Sequence, residues 1–325
     1  QLSFYGTKIN YGYEFLNPTE HIGMTYQNIK CLSAMLFSTS NHYGVIIEGQ
    51  NGIGKSETIR VLASECGIMH QFIDCTQFTT LNRVQSCLCG AIQIGAWICL
   101  RHIEKLDPSI TSALSDHLYH LNEAIGSSQK RFTFCGQEVH INPQVGIFGT
   151  TISTNLPSTL KGFFRVIHLH EIDLERVSEV LLYTMGFHEK GLATKVACVL
   201  KNASILLNIK CGPRFLVHLI RKADLNRTLF PENESHLLMT MMRKYFQNFL
   251  DSDDYEQLEF LIRDVFCEPT VQSTAQSIEN AISKYVSTLS LYNSAPTIQK
   301  IISLYHALNS SDGVLVVGES GSGKT

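Results

Sequence analysis

The chain has 325 residues, enough for two or three domains, and its 44% hydrophobic and 17% charged residues are ordinary for a globular protein. Its 26 basic and 29 acidic residues give a formal net charge of −3, which offers nucleic acid and anionic lipid no bulk electrostatic attraction. No apolar run approaches the roughly 18 residues of a membrane-spanning helix, and no signal-peptide pattern opens the chain. We therefore expect neither a membrane nor nucleic acid as a partner.

The first strong motif is a phosphate-binding loop within "YGVIIEGQNGIGKSET" at residues 43–58. The run from Val45 to Ile47 predicts a strand, "ETIRVLASE" predicts a helix, and the glycine-rich pattern between them ends in Lys55 and Ser56. Glycines let backbone N–H groups face phosphates, the lysine can reach the β- and γ-phosphates, and the serine hydroxyl can bind Mg²⁺. A surface glycine turn before a helix is the alternative. The residues predicted to contact nucleotide are Gly49, Gly52, Gly54, Lys55, Ser56 and Glu57.

Strands and helices alternate after this loop. The segment 94–100 is nearly continuous in apolar residues, as a strand buried on both faces of a parallel sheet requires. A hairpin is predicted at 130–142, around Cys135 and Gly136. Further strands are predicted at 70–77, 144–151 and 164–170, and helices at 80–92 and 109–125. This pattern predicts an open α/β sheet with its ligand at the carboxyl ends of the strands.

The second half of the chain is predicted to be mainly helical. Helical periodicity begins near Asp173, and residues 268–295 predict a linker with one helix, followed by a helix at 297–308. The segment "GVLVVGESGSGKT" at 313–325 then repeats the phosphate loop behind a predicted strand, Val314–Val317. Two such loops predict tandem nucleotide-binding modules, and we expect the chain to be a piece of a longer polypeptide. The second set of predicted nucleotide contacts is Gly318, Gly323, Lys324 and Thr325.

Several segments resemble, in the same order, the first AAA+ module of a dynein heavy chain. They are "YGYEFLN" (11–17), "GAWIC" (95–99), "LPSTLKGFFRVI" (156–167) and "LYTMGF" (182–187), and the final 23 residues, from "SLYHALN" onwards, resemble the start of the second module. The resemblance implies a P-loop NTPase AAA+ core, a parallel sheet flanked by helices, followed by an α-helical lid subdomain. The implied divisions are a segment leading into the first module (1–40), the α/β large subdomain (41–172), the helical small subdomain (173–266), and a linker with the start of the second module (267–325).

The resemblance also implies roles for individual residues. Arg165 would be an arginine finger that reaches into the neighbouring module's site, and Arg214 would be a sensor of the γ-phosphate. Residues 11–16 and "HIGMTY" (21–26) would border the adenine. The alternatives are a solvated strand edge for Arg165, surface charge for Arg214, and core positions for Tyr13 and Phe15.

Cofactors, partners and location follow from the same resemblance. The implied cofactors are ATP or ADP, with Mg²⁺ bound by Ser56. The implied partners are neighbouring AAA+ modules of the same chain and, through regions outside this chain, dynein intermediate and light chains and microtubules. The implied location is the cytoplasm and cytoskeleton, including the axoneme of a cilium or flagellum.

The chain departs from the family where hydrolysis is concerned. At the end of the "GAWIC" strand the family has an Asp and a Glu that serve magnesium and the attacking water, and here Arg101 and His102 stand in their places. Arginine neither binds a divalent cation nor accepts a proton near neutral pH, and histidine is a poor substitute base. Thr150 replaces a water-orienting asparagine, and the loop after its strand is shortened. Glu104, two residues past His102, is predicted to be solvated surface.

These departures predict a module that binds nucleotide and hydrolyses it slowly or not at all, which also places Mg²⁺ in doubt at this site. Arg101 would either supply positive charge in place of magnesium or turn away from Lys55. Three functions remain open: an ATP-driven motor segment, a non-motor scaffold or ciliary assembly protein whose ring module is structural, and another tandem AAA+ machine such as a ribosome-remodelling ring.

Overall fold

The computed structural model describes residues 2–4, 7–16, 25–152, 158–170, 173–207, 211–227, 233–247, 250, 252–266, 275–288, 295–310 and 313–318. The chain divides into two compact units, residues 1–173 and residues 174–325.

The first unit is built on a five-stranded, wholly parallel sheet in the order β4-β5-β8-β3-β9. The predicted α/β parallel sheet is therefore confirmed. Predicted strand ends moved by a few residues: Ile94 still belongs to the preceding helix, which Gly95 ends in a left-handed conformation. The strands are β3 (Gly44–Glu48), β4 (His70–Asp74), β5 (Trp97–Arg101), β8 (Gly146–Thr151) and β9 (Phe164–His168).

Helices cover both faces of this sheet. They are α1 (Tyr26–Ser40), α2 (Lys55–Glu65), α3 (Leu81–Ile94) and α4 (Pro108–Gly126). Ile98 and Leu100 of β5 pack on one face with side chains of α3 and α4. Trp97 and Cys99 pack on the other face with side chains of α1 and α2. The first four residues of β5 are buried, as a central strand covered on both sides requires. The first unit thus has two apolar layers, one on each side of the sheet.

Smaller elements complete the first unit. The predicted hairpin is confirmed as β6 (Arg131–Phe134) and β7 (Gln137–His140), which pair antiparallel. Cys135 and Gly136 between them both have positive φ, the combination that a tight two-residue hairpin turn demands. The remaining elements are the antiparallel pair β1 (Leu2–Phe4) and β2 (Thr7–Ile9), the 3-10 turn Ile103–Lys105 after β5, and the short helix α5 (Ser158–Lys161).

The second unit is helical throughout its described elements, as the periodicity predicted. Its apolar core combines side chains of α6 to α10, including Leu200, Leu219, Met242 and Ile262. Within the part of the chain that the structure describes, none of the helices is both long and apolar enough to span a bilayer. The helices are α6 (Leu174–Thr184), α7 (Leu192–Leu206), α8 (Pro213–Leu225), α9 (Glu234–Gln247), α10 (Ser252–Phe266), α11 (Ala275–Thr288) and α12 (Ala295–Ser310).

The strand predicted at Val314–Val317 is wrong. Residues 313–318 have no regular secondary structure, and Leu315 and Val317 are exposed. A strand needs a neighbouring strand to receive its backbone hydrogen bonds, and none of the described strands pairs with this segment. Gly318 is exposed, and the other predicted contacts of the second loop, residues 323–325, lie outside the described residues.

Candidate nucleotide-binding site

The phosphate-binding loop joins the carboxyl end of β3 to the start of α2. Gly52 and Gly54 have φ of +83° and +99°, a conformation that glycine adopts without strain, and no atom lies within 4 Å of where a Cβ would stand on either one. Helix α2 begins at Lys55 with no side-chain cap. The first N–H groups of a helix have no intrahelical partner, and here no side-chain cap receives them, which is the arrangement that can receive a phosphate.

Lys55 rests on the loop that it is predicted to serve. Lys55 is 7% exposed, and its Nζ donates to the carbonyl oxygens of Gly49 at 2.5 Å and Gln50 at 2.8 Å. Burial lowers the pKa of this ammonium, and the negative charge of Glu104 opposes that lowering. Glu57, one residue past Ser56, pairs with Arg60 at 3.0 Å along the helix.

Arg101, at the end of β5, is engaged with the neighbouring edge strand β4. Its Nη1 lies 3.3 Å from Oδ1 of Asp74, and its guanidinium carbon lies 4.4 Å from the centre of the Phe72 ring. Strand β4 flanks β5 on the side opposite β8 and β3, and β3 is the strand that leads into the phosphate loop. The arginine therefore turns away from the loop, the second of the two outcomes expected for it.

His102 and Thr150 together shape the exit from β5. His102 has φ +55° and ψ +49°, a left-handed conformation that is uncommon outside glycine, and its backbone N–H donates to Thr150 Oγ1 at 3.3 Å. Thr150, at the end of β8, is only 2% exposed. Its hydroxyl therefore fixes the neighbouring chain, a contact that sequence reasoning did not anticipate.

Glu104 is not solvated surface, and that prediction is wrong. Its side chain is only 17% exposed, and both carboxylate oxygens are buried without a hydrogen-bond partner among the described residues. It lies in the 3-10 turn Ile103–Lys105, and its Oε1 is 3.4 Å from His102 Nδ1 without hydrogen-bond geometry. A signal did exist in the sequence: only six residues separate Arg101 from Pro108, which starts α4, so the chain must turn at once rather than extend.

A cleft of about 550 Å³ opens at the carboxyl ends of β3 and β9. It is lined by residues 48–50, Ile53, Ile152 and residues 168–170, so the phosphate loop forms one wall. His168 Nδ1 and Glu48 Oε2 lie 3.1 Å apart across the two strand ends. This size falls within the range of about 300–1,000 Å³ that is usual for small-molecule sites.

The donor set suits magnesium bound together with a nucleotide. Among the described residues, no group of three or more His, Cys, Asp or Glu side chains could hold a metal ion by itself. Mg²⁺ usually takes one or two protein ligands plus phosphate oxygens, so it does not require such a group. The buried oxygens of Glu104, which accept no hydrogen bond from the described residues, and the hydroxyl of Ser56 at the helix start are therefore compatible with an Mg²⁺-nucleotide.

The remaining predicted site residues lie elsewhere on the two units. Arg165 is exposed on the edge strand β9, beside Val45 near the start of β3, and its guanidinium carbon is 5.5 Å from the Phe37 ring. It thus lies toward the strand end opposite the phosphate loop. Arg214 is exposed at the second residue of α8, in the other unit.

The segment predicted to border the adenine is attached to the end of α2. Gly12 N–H donates to the Cys66 carbonyl at 3.0 Å, and Glu14 N–H donates to that of Gly67 at 2.9 Å. Tyr13 and Phe15 are 84% and 98% exposed, so the alternative of core positions is wrong for both. Residues 21–24 of "HIGMTY" and residues 153–157 of the shortened loop lie outside the described residues.

Together, the parallel sheet, the phosphate loop and the helical unit that follows define a P-loop nucleotide-binding protein of the AAA+ class. The solved structure of the Thermotoga maritima RuvB Holliday junction branch migration motor has the same fold, with a TM-score of 0.51 over 83% of each chain. The two sequences are 17% identical, so this likeness concerns the fold alone.

The chain belongs to the family described as the hydrolytic ATP binding site of the dynein motor region, which matches residues 11–325. It is 27% identical to dynein axonemal heavy chain 2 of Mus musculus over 98% of its length, and 26% identical to the cytoplasmic dynein heavy chain of Fusarium vanettenii, also over 98%. It is 26% identical to the dynein-1-alpha heavy chain of the flagellar inner arm I1 complex of Chlamydomonas reinhardtii over 97%. The chain spans only 7–8% of the length of these relatives.

Proposed function

We propose that this chain is the first AAA+ module of a dynein-like heavy chain, that it binds ATP or ADP, and that it hydrolyses ATP slowly. The observation that carries this proposal is the contrast within one site. The phosphate loop keeps its open cradle and its buried lysine, while the strand end beside it presents an arginine committed to Asp74 and Phe72.

The phosphate loop supplies the binding. The amides at the start of α2 would hold the phosphates, Lys55 would leave its two loop carbonyls for phosphate oxygens, and Ser56 would face the cation. Bound magnesium neutralises phosphate charge and thereby favours phosphoryl transfer. The cleft beside residues 48–50 would take the rest of the nucleotide.

Slow hydrolysis follows from what the residues at the strand end can do. Neither Arg101 nor the backbone-bound Thr150 can accept a proton from an attacking water near neutral pH, and His102 is only a poor substitute base. Losing an acid–base group typically costs about 10²–10⁴-fold in rate. Binding and hydrolysis are thereby separated, because the groups that grip phosphate are intact.

The wider assignments belong to the same proposal. The divisions are 1–40, 41–172, 173–266 and 267–325, and Arg165 acts as a finger toward a neighbouring module while Arg214 senses the γ-phosphate. The exposure of Arg165 on an edge strand, remote from its own loop, supports a role in trans. The whole protein works with further AAA+ modules, intermediate and light chains and microtubules, in the cytoplasm, the cytoskeleton or an axoneme.

Calorimetric titration of ATP and ADP, with phosphate release measured in parallel, tests the binding and the turnover separately. We expect micromolar or tighter binding of both nucleotides, and phosphate release about 10²–10⁴-fold slower than from a dynein first module that has both strand-end acids. Turnover equal to that of such a module would refute impaired hydrolysis. A flat titration with both nucleotides would refute nucleotide binding.

A second candidate function is a non-motor scaffold, in cilia or flagella, whose ring module is structural. The bases at the end of β5 favour it, since a stroke driven from this site would need hydrolysis. The family match along residues 11–325 favours both dynein-like readings over a ribosome-remodelling ring. The two dynein-like functions differ in whether ATP is hydrolysed at this site.

Placing Asp and Glu at positions 101 and 102 tests whether the site has lost only these two acids or has changed at other residues as well. We expect Arg101→Asp combined with His102→Glu to leave phosphate release within about tenfold of the unchanged chain, because the second carboxylate would stand on a left-handed residue and Thr150 would be unchanged. The first substitution would also place a carboxylate beside Asp74, and we expect a loss of about 1 kcal/mol in unfolding free energy. A gain of 100-fold or more in phosphate release would show that only the acids had been lost.

A further inference from the structure

Glu104 lies closer to the end of β5 than an extended chain would place it. A strand continuing past His102 would carry the residue two positions later about 6.6 Å further along the strand axis. The 3-10 turn Ile103–Lys105 rises only about 2 Å per residue, so Glu104 stays near the end of β5. The turn therefore keeps a carboxylate near the end of β5, where the family's Asp and Glu are replaced by Arg101 and His102.

Three contacts hold this turn in place. The His102 N–H donates to Thr150 Oγ1 at 3.3 Å, and the Lys105 N–H donates to the His102 carbonyl at 2.9 Å. The Ile103 side chain is buried in the core layer that contains Ile98 and Leu100. Because both neighbours of Glu104 are anchored, its side chain has a fixed origin.

The carboxylate oxygens of Glu104 receive no hydrogen bond from the described residues around them. Both oxygens are buried. The negative charge of Glu104 raises the pKa of Lys55 in the phosphate loop and that of Cys75 just past β4, in each case as a smaller effect than burial. Apart from His102 Nδ1 at 3.4 Å from Oε1, no charged side chain is paired with this carboxylate among the described residues. Burying carboxylate oxygens without a hydrogen bond is costly, and a cation or its bound water would remove that cost.

We propose that Glu104 replaces the missing strand-end acids as the carboxylate that faces the divalent cation of the bound nucleotide, opposite Ser56. This inference rests on the proposed nucleotide binding. His102 is the positioning residue, because its left-handed backbone starts the turn. The site is then rebuilt around an acid displaced by two residues, and nucleotide binding becomes dependent on Mg²⁺ through Glu104.

A different role for Glu104 would be purely structural, as a counter-charge to His102 or Lys55. The two roles predict opposite effects on the nucleotide-free protein. If Glu104 is a structural counter-charge, Glu104→Gln is less stable than the unchanged chain. If Glu104 is a carboxylate that lacks a hydrogen bond until a cation binds, the same variant is more stable. Glu123→Gln is the matched control, since Glu123 is exposed on α4.

The experiment measures ADP affinity by calorimetry in Mg²⁺ and in EDTA, and thermal unfolding without nucleotide, for the full chain and its variants. We expect Mg²⁺ to tighten ADP binding about tenfold or more in the unchanged chain and in Glu123→Gln. In Glu104→Gln we expect that magnesium advantage to shrink at least fivefold, with affinity in EDTA unchanged and the unfolding temperature raised. Glu104→Asp keeps the charge and should retain more of the advantage.

An equal magnesium advantage in the unchanged chain and Glu104→Gln would overturn this inference and leave nucleotide binding standing. A lowered unfolding temperature for Glu104→Gln would also overturn it, in favour of the structural role. If the unchanged chain binds no ADP in either buffer, the proposed function fails and the inference fails with it.

Discussion

Lys55→Ala should weaken ADP and ATP binding by about 100-fold or more. A hydrogen bond from a charged donor contributes about 1.5–3 kcal/mol, and the lysine of a phosphate loop contacts two phosphates. Part of that gain is offset, because Nζ must first leave the carbonyls of Gly49 and Gln50. Calorimetric titration of the purified variant measures the change directly.

Two controls show whether the loss comes from the phosphate contact. Lys201→Ala removes an exposed lysine of α7 in the other unit and should bind nucleotide like the unchanged chain. Circular dichroism of Lys55→Ala should show a folded protein. Nucleotide binding within a few-fold of the unchanged chain would contradict the assignment of this loop as the phosphate cradle.

Trp97→Ala should lower the free energy of unfolding by about 3–5 kcal/mol, the cost usual for truncating a large buried aromatic side chain. Trp97 is 1% exposed, and its ring centre lies 4.8 Å from that of Phe148 on the next strand. A Cβ added to Gly146 would stand 2.7 Å from the indole, so the ring fills the space beside that glycine. Chemical denaturation followed by far-UV circular dichroism gives the value.

Trp97→Phe is the matched variant for this prediction. The indole N–H is buried without a hydrogen-bond partner among the described residues, so phenylalanine removes an unsatisfied donor while keeping most of the apolar volume. We expect a loss of about 1 kcal/mol, because the smaller cavity and the removed polar group act in opposite directions. If Trp97→Ala lowered the free energy of unfolding no more than Trp97→Phe does, packing of the aromatic ring would not stabilise this core layer as predicted.

The elements that the sequence predicted well are those with strong local signals. The phosphate loop, the buried strand β5 and the hairpin at Cys135 and Gly136 each depend on a few adjacent residues whose types suit one backbone conformation. The strand predicted at Val314–Val317 had the same local signal and failed, since a strand exists only where a neighbour receives its hydrogen bonds. An apolar, β-branched run therefore favours a strand, and the strand forms only where a neighbouring strand pairs with it.

The site itself was predicted only in part. The residues predicted to contact phosphate were chosen by the spacing of the loop motif, and the changed residues at the end of β5 were recognised by resemblance; the phosphate contacts stay a prediction. The burial of Glu104 was missed, because an acid two residues beyond a strand is usually solvated and the compact turn that buries it depends on where α4 begins. For Tyr13 and Phe15 only the alternative of core positions failed, although aromatic residues favour the core on average.

The sequence by itself determined that this protein carries a phosphate-binding loop on a parallel α/β sheet and that bases stand where its family has acids. Only the tertiary structure decided what those bases do. Arg101 meets Asp74 across 27 residues of chain, and His102 meets Thr150 across 48. Such contacts depend on which strands lie side by side, so no local spacing encodes them. The same adjacency leaves both carboxylate oxygens of Glu104 buried without a hydrogen bond from the described residues, because burial is a property of the packed sheet and its turns.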